Sequence, residues 1–346
     1  MTLSPRSFLL IATLAAGSVL AGAWAYTSAM RMRFLETGYP IWVAKQTILH
    51  RCDFGSVLVL GDSRAEAAIV PTPLPLRAAN ITFGGTTPIE TYFFAREAMK
   101  CPQPPRLVIY SHSMPAFLRP GQGLWKTAAR YGYIHFADLR EVAATADAIH
   151  DESFASLNTS DGLTGVVRDI TYAAGFPSIF VPSLVEARAI GRYETNRMLL
   201  ERTASTRGRV IYPQPADKQL VGIDAGETEF VPSPLETAYL DKTLNLFAAA
   251  HVRVILLTVP VAQSTNRAIR PAVKAGFSRF LAGYGKRYEN VTLSPDGLIG
   301  WPDDFYIDGS HMNPRGAEAF TAKLADCLRQ ASAAPDRSPA CDFDWK

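Results

Sequence analysis

Ser56-Val-Leu-Val-Leu60 runs without a break into Gly61-Asp62-Ser63-Arg64. The apolar run shows no polar alternation, as expected of a strand covered on both faces of a sheet. Gly61 permits a tight turn directly after it, and the following residues can open a helix. Strand, turn and helix in so few residues is the opening of an α/β unit, and it leaves Ser63 just past the carboxyl end of the strand. That is where open α/β sheets place ligands.

Further apolar runs have the same character. Ala78–Phe83 ends in Gly84-Gly85 and reads as a second strand; Arg106–Tyr110, Val252–Val259 and Asn290–Leu293 read as the third, fourth and fifth. Helices fall between and after them. Thr87-Pro88-Ile89-Glu90 and Ser233-Pro234-Leu235-Glu236 are capping boxes with proline at the first helical position. Asn313-Pro314 opens a last helix through Leu328, with Phe320, Leu324 and Cys327 on one face. Alternating strands and helices imply a parallel sheet.

One connection is too long for a simple crossover. About 140 residues separate the third and fourth strands, and much of that span, about 115–232, reads as a mainly helical insertion. It should hold helices near 136–150 and 184–204, the second opened by a capping box at Ser183–Glu186. An aromatic and apolar patch, Arg168–Pro182, suits the insertion's own core or a surface facing a membrane or partner. Residues 34–51 read as a connector, 52–330 as the main domain and 331–346 as a tail.

Composition bounds the partners. The 346 residues carry 35 basic and 32 acidic side chains, a formal balance of +3, and 48% are hydrophobic. That excludes a disordered chain and gives no basic surface for nucleic acid. Residues 7–30 contain no charged side chain. Residues 8–26, as a helix, would span about 28 Å, close to a bilayer core. Residues 1–33 are therefore expected to be a membrane anchor or a secretory signal with a cleavage site at Ala23-Trp24-Ala25. Either exports the rest. Four cysteines, Cys52, Cys101, Cys327 and Cys341, suit an oxidising compartment and allow three pairings. Neither a C-x-x-C pair nor an H-E-x-x-H motif occurs, so no metal or cofactor is expected.

A second chemical element lies near the other end, in Asp308-Gly309-Ser310-His311-Met312-Asn313-Pro314-Arg315-Gly316. An aspartate three residues before a histidine can orient its imidazole, and a histidine so held can take the proton of Ser63. Helix amides behind Ser63 would favour negative charge on an acyl oxygen.

Together these residues resemble the SGNH (GDSL-type) hydrolase superfamily. The likeness rests on Gly61-Asp62-Ser63, Gly84 or Gly85, and Asp308 with His311, in that order, and covers roughly 52–115 and 233–330. It implies a flavodoxin-like three-layer sandwich with a five-stranded parallel sheet in the order 2-1-3-4-5. The first and third strands would then be neighbours, and the pairing this implies is Cys52 with Cys101 and Cys327 with Cys341. Where the family has G-x-N-D, this chain has Ser111-His112-Ser113-Met114. Ser113 then stands where the family's asparagine donates to the oxyanion, and His112 becomes a candidate site residue. Arg64, where the family has leucine, is a candidate for holding a substrate's anionic or carbonyl group, or for a surface salt bridge.

The anchor, the altered third block and the insertion together resemble the membrane-associated branch that acylates cell-surface polymers, including alginate O-acetyltransferases and teichoic acid D-alanylation proteins. That resemblance implies a bacterial inner-membrane protein with its domain in the periplasm or outside. It implies acyl transfer through a Ser63 ester, a multispanning membrane-bound O-acyltransferase partner and a polysaccharide acceptor. The alternatives are a carboxylesterase using the same triad, anchored or secreted after signal cleavage, and a non-catalytic scaffold or glycan-binding subunit.

Overall fold

The computed structural model describes residues 4–118, 121, 123–153, 189–294, 297–333 and 341–345. The helices are α1 Pro5–Ala29, α2 Arg31–Phe34, α3 Gly38–His50, α4 Ser63–Ala68, α5 Pro88–Met99, α6 Phe136–Ala148, α7 Ala189–Ser205, α8 Pro234–Ala249, α9 Gln263–Ala268, α10 Pro271–Arg287 and α11 Pro314–Ala333. The strands are β1 Val57–Gly61, β2 Ala78–Asn80, β3 Leu107–Ser111, β4 Arg253–Leu257, β5 Val261–Ala262, β6 Val291–Ser294 and β7 Gly300–Trp301.

Five strands form one parallel sheet in the order β2-β1-β3-β4-β6. This is the expected flavodoxin-like arrangement; β5 pairs with β7 outside the sheet. Period-two alternation divides each strand between two cores. Leu58, Leu60, Val108 and Tyr110 face the layer of α5, α8 and α10. Val57, Val59, Leu107 and Ile109 face α4 and α11, whose Ala65, Ala68, Phe320 and Leu324 fill the opposite layer. The expected caps form: Glu90 accepts from the Thr87 amide at 2.9 Å, and Ser233 Oγ accepts from the Glu236 amide at 3.3 Å.

The second strand is shorter than the sequence suggests. Asn80 turns its amide group into the core, donating to the carbonyls of Ala65 and Ile69 at 3.0 Å each. Its backbone N–H goes to the Arg207 carbonyl at 2.9 Å. The last stretch of the insertion thus covers the outer edge of the sheet, which an exposed strand edge needs.

The connector is also corrected. Residues 38–50 form α3, which belongs to the body: Trp42, Ile48 and Leu49 are buried, and Trp42 stacks on Phe83 at 4.0 Å between centroids. The folded unit therefore begins ahead of residue 52. Helix α7 packs on α2 and α3, where Asn196 donates to the carbonyls of Met32 and Leu35 at 3.0 Å each. The tail is anchored too, because the buried Trp301 indole donates to the Phe343 carbonyl at 2.8 Å. The Arg168–Pro182 patch and the Ser183–Glu186 box lie outside the described residues.

Helix α1 has 25 residues, a mean hydropathy of 1.9 and exposed apolar side chains, so it is long and apolar enough to cross a membrane. It fits a signal anchor or a signal peptide. Cys52 is bonded to Cys101 and Cys327 to Cys341, which suits an oxidising compartment. The first bond joins the end of α3 to the segment before β3, at the amino edge of the sheet.

Candidate active site

Ser63 is the first residue of α4, directly after the turn that ends β1. The turn is tight because a Cβ on Gly61 would lie 1.7 Å from the Ser111 carbonyl oxygen. Asp62 shapes it from below. Its Oδ1 accepts from the Arg64 amide at 3.0 Å and its Oδ2 from the Ser113 amide at 2.8 Å, tying β1 to the end of β3.

His311 reaches Ser63 from a loop between β7 and α11. Several bonds hold that loop. The Ile307 amide donates to the His311 carbonyl at 2.9 Å, and the Asn313 amide to the Phe305 carbonyl at 2.8 Å. Gly309 sits so close to Gly222 that a Cβ would be 2.2 Å from its nitrogen. Thr265 Oγ1 donates to the Gly309 carbonyl at 2.7 Å. The β5–β7 pair and α9 thus clamp the loop against the insertion.

The geometry is that of a relay. Ser63 Oγ lies 2.8 Å from His311 Nε2, and His311 Nδ1 lies 2.8 Å from Asp308 Oδ2. Asp308 Oδ1 accepts from the amides of Ser310 at 2.7 Å and His311 at 2.8 Å. Partial burial pushes the Asp308 pKa upward, but these hydrogen bonds and the imidazole outweigh it and hold it at about 2. Asp308 is therefore ionised at neutral pH. It orients the Nδ1 proton toward itself and leaves Nε2 to accept from Ser63.

Gly84 faces the serine. A Cβ on it would lie 3.8 Å from Ser63 Cβ and 3.1 Å from the Tyr212 hydroxyl. The amides of Ser63 and Gly84 donate to no group among the described residues, so both are available to a developing oxyanion. Gly85 follows at φ +75°, and a Cβ there would meet nothing within 4 Å. Ser113 is at the site's edge with its amide committed to Asp62.

Two further candidates are buried. Arg64 points inward, not to the surface, and pairs with Asp224 of the insertion; the side chains are 5% and 0% exposed. Arg64 Nη1 and Asp224 Oδ1 are buried without a hydrogen-bond partner among the described residues. His112 is buried behind the turn, with Nε2 2.8 Å from Thr91 Oγ1; burial lowers its pKa to about 4 against the pull of Asp62. Its Nδ1 is buried without a hydrogen-bond partner among the described residues.

Four residues beside the serine carried no signal in the sequence. The Tyr212 hydroxyl donates to Glu66, and its ring lies 5.1 Å from that of His311. Glu66 also accepts from Lys45 Nζ at 2.6 Å, and Lys45 donates further to the Thr82 carbonyl. Burial lowers the Lys45 pKa while Glu66 raises it. Asp224 is the fourth. None has a partner at helix or strand spacing, so only the fold brings them together. No group of three or more His, Cys, Asp or Glu able to hold a metal occurs among the described residues.

No family model, curated protein or solved structure matches the chain. The site must be read from its own geometry.

Proposed function

We propose that the chain is an exported, membrane-anchored acyltransferase of SGNH type that works through an ester on Ser63. The observation that carries this reading is the pair of 2.8 Å contacts linking Ser63 Oγ to His311 Nε2 and His311 Nδ1 to Asp308. Ser63 attacks the donor's carbonyl carbon as its proton passes to Nε2. The amides of Ser63 and Gly84 receive the oxyanion. The donor's ester C–O bond breaks, its alkoxide takes the proton from His311, and acyl-Ser63 remains. A hydroxyl of an exported polysaccharide then attacks, gives its proton to His311, and regenerates Ser63. The donor comes from a multispanning membrane-bound O-acyltransferase, and tethering through α1 raises the effective concentration of the two partners.

Full-length protein in nanodiscs, given p-nitrophenyl acetate with and without an unacylated oligosaccharide, tests this. The expected result is ester cleavage that falls roughly 1,000-fold or more in Ser63→Ala. Acceptor should divert acyl groups from free acid to the sugar. Acid release unaffected by acceptor makes the protein a carboxylesterase instead. Cleavage equal in wild type and Ser63→Ala rejects the serine mechanism and leaves a scaffold.

A further inference from the structure

The insertion returns to the site between residues 212 and 224, and both ends of that stretch are tied to α4. Tyr212 donates its hydroxyl to Glu66, and Asp224 accepts from Arg64. Between them the Gly222 amide donates to Thr265 Oγ1 at 2.9 Å, and Gly222 lies against Gly309 of the histidine loop. The stretch therefore straps the loop that carries His311 to the helix that carries Ser63. Its first anchor is an aromatic ring. The Tyr212 and His311 rings lie 5.1 Å apart between centroids, tilted by 40°.

The Tyr212 ring is fixed from its far end. Glu66, which accepts the hydroxyl, is itself held by Lys45 Nζ at 2.6 Å, and the two side chains are 3% and 0% exposed. Burial pushes the Tyr212 phenol well above its ordinary range, and the charge of Glu66 adds to that, so the hydroxyl stays protonated. A phenol that donates to a carboxylate is polarised toward an electron-rich ring, which strengthens the negative face of its quadrupole. Glu66 and Lys45 balance each other, so the assembly brings no net charge to the histidine.

We propose that Tyr212 is a positioning residue that stabilises the charged form of His311 during acyl transfer. The inference rests on the serine reading above and deepens it. Ser63 Oγ gives its proton to Nε2 as it bonds to the carbonyl carbon, and the imidazole stays a cation until that proton passes to the leaving oxygen. A cation within about 6 Å of an aromatic centroid is attracted to the ring, an effect equal to about a two- to thirty-fold change in rate. Asp308 acts on the same cation through Nδ1; Tyr212 acts on it through its ring. The other titratable and charged groups around the imidazole are Ser63 and, behind Tyr212, Glu66 with Lys45. Asp62 is bound by the Arg64 and Ser113 amides, and Arg64 pairs with Asp224.

The test measures kcat/KM for p-nitrophenyl acetate against pH on full-length protein in nanodiscs, for wild type, Tyr212→Phe and Tyr212→Leu. Both variants lose the hydroxyl and keep Glu66 and Lys45; only Y212L loses the ring. The expected result is Y212F within about threefold of wild type and Y212L about tenfold lower at the plateau. Without the ring the imidazolium is less stable, so the histidine stays neutral to lower pH. The acid limb of the Y212L profile should therefore move down by about half a pH unit or more. A Y212L acid limb that coincides with wild type, whatever the plateau, overturns the proposal and leaves the ring a packing group. A loss in Y212F equal to that in Y212L overturns it too, by assigning the effect to the hydroxyl. If thermal melts show that Y212L does not fold, Tyr212→Met, which fills the space without a ring, is read by the same criteria. These outcomes leave the serine mechanism standing. It falls separately, and the role of Tyr212 with it, if Ser63→Ala cleaves the ester as fast as wild type.

Discussion

Arg64 and Asp224, 160 residues apart in sequence, form a buried ion pair one residue behind Ser63. It ties the first turn of α4, which carries Ser63, to the insertion. Position at the serine thus depends on a segment that lies outside the sheet.

Removing one partner of a buried pair leaves the other charge uncompensated, at a cost of about 3–5 kcal/mol. Asp224→Ala should therefore lower the unfolding free energy by that order and reduce activity with it. A double change, Arg64→Leu with Asp224→Leu, should recover most of the stability. Denaturant titration of the variants checks this; a double variant as unstable as the single one contradicts it.

The Lys45–Glu66–Tyr212 chain separates two effects. Tyr212→Phe keeps the ring against His311 and removes only a hydrogen bond, worth on the order of 1 kcal/mol. Lys45→Met leaves Glu66 buried without its cation and should cost about 3–5 kcal/mol. Thermal melts should show K45M much less stable than Y212F. Esterase activity in Y212F should stay within tenfold of wild type, because the triad is intact.

Two carboxyls should give stability opposite dependences on pH. Asp308 is held at about 2, below its ordinary value, so its contribution is full above pH 4 and is lost as pH falls toward 2. Its partial exposure limits that to on the order of 1 kcal/mol. Burial pushes Glu90 up to about 7 from 4.5, against its bonds from Thr87. The native state then holds a proton that the unfolded chain has released, so stability should fall from pH 4.5 to about 7, by on the order of 3 kcal/mol. Glu90→Gln should flatten that decline and Asp308→Asn the acid step, in unfolding titrations across pH. A decline that persists in E90Q would assign it to another group.

The sheet was legible because most strands are apolar runs closed by glycine or a polar break, and α5, α8 and α11 are opened by caps that the sequence spells locally at Thr87, Ser233 and Asn313. Ser63, Asp308 and His311 were legible for a similar reason: each occupies a fixed place after a strand, and Asp308 and His311 are only three residues apart. The salt bridge expected as one role of Arg64 forms, but buried rather than at the surface, because its partner Asp224 comes from the insertion and no sequence spacing links the two. Lys45 shows the converse. A lysine within a presumed connector looks solvated, and only the packing of Trp42 on Phe83 reveals that α3 lies inside the body.

The bond between Cys52 and Cys101 closes a loop of 49 residues and that between Cys327 and Cys341 one of 14. By chain entropy these are worth about 4 and about 3 kcal/mol, a sum comparable with the roughly 5–15 kcal/mol net stability of a whole domain. Before oxidation, the chain would hold its serine and histidine in an ensemble close to unfolding. The two bonds therefore set how closely Ser63 and His311 are held: a chain with all four thiols reduced should populate states in which the two residues are apart.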